Sequence, residues 1–123
     1  MAAVVKNDVE QRTEISYLYR DASNYKKTTT VVINGRVTVE QIKTVLECLD
    51  EGMYFIPNQI GFPENRFEEA DFAVDHCWFE MDEYSFKLTN EPATMQLTPD
   101  DVVKLFLKKK DNWNGADTSW FDR

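Results

Sequence analysis

The chain has 123 residues, of which 42% are hydrophobic and 29% are charged, and its formal net charge is −8. This length suits one domain with a single core, and the composition argues against a wholly disordered chain. So much negative charge disfavours direct binding to nucleic-acid phosphates and to anionic membrane surfaces.

The first half of the chain predicts two strands joined by a turn. We expect residues 1–12 to form a flexible arm, after which the alternation at 15–19 predicts a strand. Asp21 to Asn24 favours a turn, because Asp, Ser and Asn side chains hydrogen-bond to their own backbone. A run of β-branched residues then predicts a second strand at 28–33.

The first helix is predicted at about 39–50. Thr38 is a good N-cap, Gln41 completes a capping box, and the apolar residues that follow share one helical face. Gly52 is a natural stop for this helix. Asn34 and Gly35 could close a hairpin, but the cap that follows favours a turn from strand into helix.

The middle of the chain predicts a short strand and a long connection. Residues 53–56 are apolar and aromatic, which suits a third strand that ends at Pro57. The connection at 57–74 holds two of the four prolines and leaves room for one helical turn near 66–70. Connections of this length are often functional.

Residues 76–81 alternate strictly, which predicts a strand with Cys77 facing the interior and with His76 and Trp78 facing outward. Trp78 is either exposed or covered by a neighbouring segment, and the sequence leaves both open. A further strand is predicted near 84–88.

The last predicted helix spans about 99–110. Thr98, Pro99 and two aspartates form its start, and three lysines suit its negative end. Residues 111–123 form a polar, aromatic tail. The order of elements predicts one α+β domain at 13–110, a mostly antiparallel sheet of about four to five strands with both helices on one face.

The sequence shows no assembled catalytic chemistry. His76 is the only histidine, and neighbours on a strand face opposite sides, so His76 cannot pair with Cys77, although a pair with Cys48 stays open. Phosphate-binding and nucleophile-elbow motifs are absent. We expect no cofactor and no metal, although acids around His76 (Asp75, Glu80, Asp82 and Glu83) could gather a metal ion.

We expect the protein to be cytoplasmic. Its first residues do not form a secretory signal, and no apolar run reaches the length of a membrane span. Cys48 and Cys77 each lie in an apolar context and suit buried, reduced thiols, with a disulfide between them as the less favoured alternative.

Charge is concentrated in one stretch. Ten acids and one base, Arg66, lie between Asp50 and Glu83. Such a run is either an ordinary solvated face or a surface that places carboxylates where a nucleic acid has phosphates.

A candidate binding surface combines aromatic and polar residues, because Tyr, Trp and Arg dominate protein–protein contacts. The stretch at 18–26 is either part of that surface or a polar turn in which Arg20 pairs with an acid across the sheet. The candidate binding residues are Tyr19, Arg20, Asp21, Asn24, Tyr25, Gln59, His76, Trp78 and Glu80.

Three stretches, YRDASNYK at 19–26, LDEGMYFIPNQIGFP at 49–63 and DHCWFEM at 75–81, resemble blocks of a family of small bacterial proteins also found on mobile elements. Its members share the patterns YRDxxNYK, DEGxxFIPxQxGxP and DHxWxE. The resemblance implies a common fold and a shared purpose for the three blocks, but it supplies no activity. This chain carries Cys77 and Phe79 where other members carry proline and histidine.

The leading functional hypothesis is a non-catalytic module that binds another protein through this aromatic and polar surface. One alternative is an acidic inhibitor from a mobile element that blocks a nucleic-acid-binding enzyme by mimicry. A second alternative is a small hydrolase that uses carboxylates and His76, which a pocket joining His76 to two acids would favour.

Overall fold

A computed structural model of the chain describes residues 11–66 and 76–116. The predicted arm therefore lies almost entirely outside the described residues, as do Trp120 and most of the helical turn expected near 66–70. The described part confirms a single small α+β domain with an antiparallel five-stranded sheet and two helices.

The sheet is built around one long central strand, β1. β1 pairs with β2 along its whole length on one side, and with β4 and β5 on the other, while β3 pairs with β4. All of these pairings are antiparallel. The strands are β1 (Arg12–Arg20), β2 (Lys26–Asn34), β3 (Tyr54–Phe55), β4 (Phe79–Glu80) and β5 (Phe86–Thr89).

Both helices begin as their capping residues predict. α1 (Val39–Glu47) starts at the Thr38–Gln41 capping box, and α2 (Pro99–Lys109) starts at a box formed by Thr98 and Asp101. The N-cap bonds to Thr98 lower the pKa of Asp101. The glycine before α1, Gly35, has φ +86 and turns the chain from strand into helix, as expected.

α1 ends three residues earlier than predicted. Its last turn tightens at Cys48 and Leu49, whose amides bond to carbonyls three residues back, and Asp50 then pairs with Tyr54. Gly52, with φ +70, therefore serves the turn into β3 and does not cap the helix. The prediction at this end was wrong because pairing to β3 draws the chain out of the helix.

The core lies between the sheet and both helices, on one face of the sheet as predicted. Alternate residues of β1 and β2 are buried there together with residues of α1 and α2, and several aromatic rings fill the space between them. Cys48 and Cys77 are free and buried. The central members are Ile15, Tyr17, Tyr19, Val31, Ile33, Val45, Phe55, Phe79, Val102 and Phe106.

The last three strands are shorter than predicted, and each of them starts later. β4 covers two residues, because the carbonyls of His76 and Cys77 accept hydrogen bonds from side chains instead of from a neighbouring strand. Residues Glu83–Ser85 form a 3-10 turn capped by Asp82, so β5 begins at Phe86.

The connection after β3 starts with a 3-10 turn, Pro57–Ile60, and is then held by a buried ion pair. The side chain of Glu64 has no exposed surface and accepts from Arg66 at 2.9 Å and from the Asn58 amide at 2.9 Å. The Arg66 guanidinium also donates to the carbonyls of His76 and Cys77 at 3.0 and 3.1 Å.

The Arg66 guanidinium also lies over two adjacent aromatic rings. Its central carbon is 4.8 Å from the ring centres of both Tyr19 and Phe79. One side chain thus joins the connection, β1 and the entry to β4 by hydrogen bonds, charge and cation–π contact.

In the described residues, neither helix is long and apolar enough to cross a bilayer.

We expect Arg66→Met to lower the free energy of unfolding by about 3–5 kcal/mol, because it leaves the buried Glu64 carboxylate without its guanidinium. The double variant Glu64→Gln/Arg66→Met should recover part of this loss, since the uncompensated charge is gone and glutamine keeps an acceptor for the Asn58 amide. Urea denaturation at neutral pH measures both.

The matched control is Arg20→Met, which breaks the partly exposed pair with Glu80 and should cost under about 1 kcal/mol. A double variant less stable than Arg66→Met, or an Arg20→Met loss as large as that of Arg66→Met, would contradict this account of the buried pair.

Candidate functional site

The three sequence blocks meet at one open cavity. It lies where β1 ends, where the chain turns from α1 into β3, and where the chain enters β4, and its volume is about 590 Å³. Its lining residues are Arg20, Asp21, Asp50, Glu51, Met53, Tyr54, His76, Trp78 and Glu80.

An ion pair crosses one side of the cavity. Arg20 donates to Glu80 through Nε at 2.9 Å and through a terminal nitrogen at 3.4 Å, and its other terminal nitrogen donates to Asn24. The hydrogen bond to Glu80 raises the pKa of Arg20 further above its ordinary value. The predicted pairing of Arg20 with an acid across the sheet is therefore confirmed.

The turn after β1 is also formed as predicted. The Asp21 carboxylate accepts from the amides of Ser23 and Tyr25, both at 2.9 Å. Asn24 has φ 69, a left-handed conformation that asparagine tolerates well. The stretch at 18–26 thus contains a structured polar turn, and Arg20 and Asp21 also line the cavity.

The opposite rim comes from the turn between α1 and β3. The backbones of Asp50 and Tyr54 exchange two hydrogen bonds of 2.7 and 2.9 Å, which closes a tight loop of three residues. Within it Glu51 has φ 53 and Gly52 has φ 70. Through this turn Asp50, Glu51 and Tyr54 all come to line the cavity.

His76 is held on several sides. Its carbonyl accepts from the Tyr19 hydroxyl at 2.7 Å and from Arg66, and its ring centre is 5.3 Å from the Tyr19 ring. Its Nδ1 accepts from the Trp78 amide at 3.1 Å. In the neutral imidazole the proton therefore sits on Nε2, which makes that nitrogen a hydrogen-bond donor.

Trp78 is partly buried, and the tail covers one side of it. The Tyr54 and Trp78 ring centres are 6.4 Å apart with planes at 62°, which forms an aromatic corner. Gly115 lies against the other side, where a Cβ would come within 2.6 Å of the indole. This contact resolves whether Trp78 is exposed or covered, because one side is covered while Trp78 still lines the cavity.

Residues 111–116 pack back onto the domain and form a strap. The Trp113 indole donates to the Cys48 carbonyl at 2.9 Å and packs against Phe55 and Phe106. Gln59 and the backbone of Asn114 exchange two hydrogen bonds of 3.0 and 3.1 Å. The strap therefore supports Trp78 from behind.

The candidate binding residues divide into those in the cavity and those beside it. Tyr19 is 2% exposed and supports His76 from the core, so its assignment to a contact surface was wrong. Asn24 supports Arg20, Gln59 holds the strap, and Tyr25 is 67% exposed on the turn. Those that line the cavity are Arg20, Asp21, His76, Trp78 and Glu80.

Sequence reasoning missed the second block's share of the cavity. Asp50, Glu51 and Tyr54 were not among the candidate residues, although they lie in the stretch LDEGMYFIPNQIGFP. The available signal was the Glu51–Gly52 pair, which favours a tight turn and thereby brings its neighbours to one edge.

Both thiols donate hydrogen bonds to backbone carbonyls. Cys48 donates to the Thr44 carbonyl one helical turn back, and Cys77 donates to the Gly115 carbonyl. Burial raises the pKa of Cys48, which disfavours the reactive thiolate. Within residues 11–66 and 76–116, no three His, Cys, Asp or Glu side chains are placed to share a metal ion.

The acids between Asp50 and Glu83 differ in burial and pairing, although the sequence shows them as one acidic stretch. Glu64 is buried against Arg66, and Glu80 is paired with Arg20. Four other acids of the run are exposed, and four more lie outside the described residues. The exposed ones are Asp50, Glu51, Asp82 and Glu83.

Comparisons of the chain with protein-family models, with curated proteins and with solved structures find no match. Its fold and site define a small α+β domain with an open aromatic cavity of mixed charge.

We expect Gly115→Ala to displace the Trp78 indole, because the added Cβ would overlap the ring, at a cost of about 1–3 kcal/mol in the free energy of unfolding. The indole N–H resonance of Trp78 should shift in a ¹H–¹⁵N spectrum. Asn112→Ala, at an exposed position of the same strap, is the control and should leave that resonance in place. An unmoved Trp78 resonance in Gly115→Ala would show that the strap does not position the indole.

Proposed function

We propose that the protein is a non-catalytic, cytoplasmic module that binds another protein through the aromatic cavity. The observation that carries this proposal is the convergence of the three sequence blocks on one open cavity with an aromatic corner. Tyr, Trp and Arg are the residues that most often dominate protein contacts, and Tyr54, Trp78 and Arg20 all line this cavity.

The surface around the cavity is larger than the cavity itself. Met53 and Glu80 also line a neighbouring concavity of about 380 Å³, which includes Tyr84. Met53 and Tyr84 are 45% and 84% exposed, so two large side chains extend the apolar area beyond the aromatic corner. Exposed apolar area bordered by charged residues is typical of protein-interaction sites.

The state of the polar groups supports binding over catalysis. Both oxygens of Glu80 accept from Arg20, the Asp21 carboxylate caps its turn, and Nδ1 of His76 is occupied by the Trp78 amide. A hydrolytic site needs a base that is open to the substrate or to water. Glu80, Asp21 and His76 would be candidates for a general acid or base, but their hydrogen bonds hold the cavity walls instead.

The hydrolase alternative gains one supporting observation, since His76 lines the same cavity as four carboxylates. Asp50 and Glu51 are the acids best placed to act there, because both are exposed. It remains the weaker candidate, because the Trp78 amide occupies Nδ1 of His76 and the proton of the neutral ring then lies on Nε2.

The acidic-inhibitor alternative is supported by the four exposed carboxylates and by the resemblance to proteins found on mobile elements. Two of those acids, Asp82 and Glu83, lie outside the aromatic cavity. This separation makes the two binding hypotheses distinguishable by mutation.

A photo-crosslinking amino acid at Tyr54, on the cavity wall, should capture one discrete partner in cells of the native host. Trp78→Ala should weaken that complex by about 30-fold, which is the effect of a contact worth about 2 kcal/mol. Trp78→Phe keeps an aromatic ring and should retain most of the affinity. Titration of the purified partner measures both variants.

The control position is Leu107 on α2, which is 50% exposed and does not line the cavity. The proposal would be wrong if Leu107 and Tyr54 gave identical crosslinked adducts, or if Trp78→Ala did not change the crosslinking yield at Tyr54.

Mimicry and cavity binding differ in their response to charge and salt. The variant Asp82→Asn/Glu83→Gln should leave a cavity-centred complex within about threefold of wild type, whereas mimicry predicts a clear loss. Raising salt from roughly 50 to 300 mM should weaken a mimic complex far more than about tenfold. Strong loss in both measurements, with Trp78→Ala neutral, would establish the mimic in place of the module.

A further inference from the structure

The charge inside the cavity is strongly unbalanced. Four of its lining residues are acids and one is a base, Arg20, so the lining carries three uncompensated negative charges. Arg20 is itself neutralised by Glu80, which leaves Asp21, Asp50 and Glu51 as the carboxylates without a basic counterpart in the lining. Such a cavity repels anions and favours a cation.

Two aromatic rings line the same cavity as these carboxylates. The ring centres of Tyr54 and Trp78 are 6.4 Å apart and their planes meet at 62°. A cation near an aromatic face is attracted by the ring's quadrupole, and the effect grows when water is excluded. An aromatic corner next to carboxylates is therefore suited to an organic cation.

Both walls are held before any ligand arrives. Tyr54 is fixed by two backbone hydrogen bonds with Asp50. Trp78 is fixed by Gly115 on one side and by the hydrogen bond that its amide donates to Nδ1 of His76. Binding then needs little ordering of the walls, which lowers its entropic cost. Nε2 of His76 is the ring nitrogen that does not accept from the Trp78 amide. It can therefore donate a hydrogen bond to a backbone carbonyl of the partner.

From the charge and the aromatic corner together, we propose that the cavity receives a basic side chain, arginine or lysine, presented by the partner protein. This inference rests on the proposed function and specifies its chemistry. The partner's binding segment is then a basic one, with the guanidinium or ammonium group between Tyr54 and Trp78 and near the Asp50 and Glu51 carboxylates.

Acetylated, amidated Gly-Arg-Gly and Gly-Lys-Gly peptides test this at constant ionic strength. Both should shift the indole N–H resonance of Trp78, at peptide concentrations in the millimolar range that weak single-residue binding requires. The citrulline peptide has the shape of the arginine peptide without its charge, and it should cause at most about one-tenth of that shift. Equal shifts from the citrulline and arginine peptides, or no shift from any peptide, would overturn the inference.

Charge variants locate the effect. Asp50→Asn/Glu51→Gln should weaken the arginine peptide by about five- to tenfold, as expected for two carboxylates near the surface. The control Glu47→Gln/Glu83→Gln removes the same charge from exposed positions outside the cavity and should change the affinity by less than about twofold. An equal loss of peptide affinity in the two double variants would contradict the inference, because binding would then depend on the net charge of the protein and not on the cavity.

Glu51 offers a variant in which folding and binding separate. Its left-handed φ of 53 is unfavourable for glutamate and easy for glycine. Glu51→Gly should therefore keep or raise the melting temperature while weakening the arginine peptide by about threefold. A lower affinity for the arginine peptide in a variant at least as stable as wild type cannot be ascribed to misfolding. Unchanged affinity would show that Glu51 is not part of the site.

The two proposals fail in different ways. If crosslinking from Tyr54 succeeds but the charged peptides do not bind, the protein-binding function stands and the basic side chain is the wrong ligand. If the peptides bind but the Tyr54 crosslinks do not depend on Trp78, the cavity takes a cation and the proposed partner surface is elsewhere.

Discussion

The guanidinium of Arg66 is the contact on which the rest of the structure depends. It joins the buried Glu64, two backbone carbonyls at the entry to β4, and the rings of Tyr19 and Phe79. A buried charge of this kind stabilises only when its partners are all present, since the desolvation of an unpaired ion is large. Segments that are distant along the chain are therefore held in one arrangement.

The cavity is a consequence of that arrangement. Because Arg66 and the Tyr19 hydroxyl take the carbonyl of His76, the chain at 76–78 is drawn over the core before it joins the sheet. His76 and Trp78 then face the rim that Arg20 and Glu80 form on the neighbouring strands. The strap completes the wall by placing Gly115 behind the indole. Tyr19 and Arg66 thus lie in the layer below the cavity, and the residues to which the proposed function assigns binding line it.

Local signals predicted what local interactions decide. The capping box at Thr38, the helix start at Thr98, the alternation along β1 and the turn at Asp21 each involve residues within a few positions, and each was confirmed. The end of α1 depends on the pairing of Asp50 with Tyr54, and the length of β4 depends on side chains from other segments. Helical and strand periodicity signal neither, and there the predictions were wrong. Periodicity still placed Cys77 inward although β4 is short, because burial decides that face.

The site shows the same division. Five candidate residues, Arg20, Asp21, His76, Trp78 and Glu80, reach the cavity because aromatic and charged residues near strand ends tend to lie at a surface edge. The composition of the acidic stretch could not predict the role of Arg66, which is its single base. Ten acids around one arginine suggested a solvated or mimetic face, whereas that arginine is largely buried and neutralises a buried carboxylate.

The polar groups of this cavity divide into those that the fold engages and those that it leaves open. Glu80, Asp21 and Nδ1 of His76 take part in hydrogen bonds within the domain, so three of the groups that acid–base chemistry could use are already occupied. What the cavity leaves open is an aromatic corner and carboxylates at its rim. Those groups are suited to attracting and orienting a cation, and on this the proposed binding function rests.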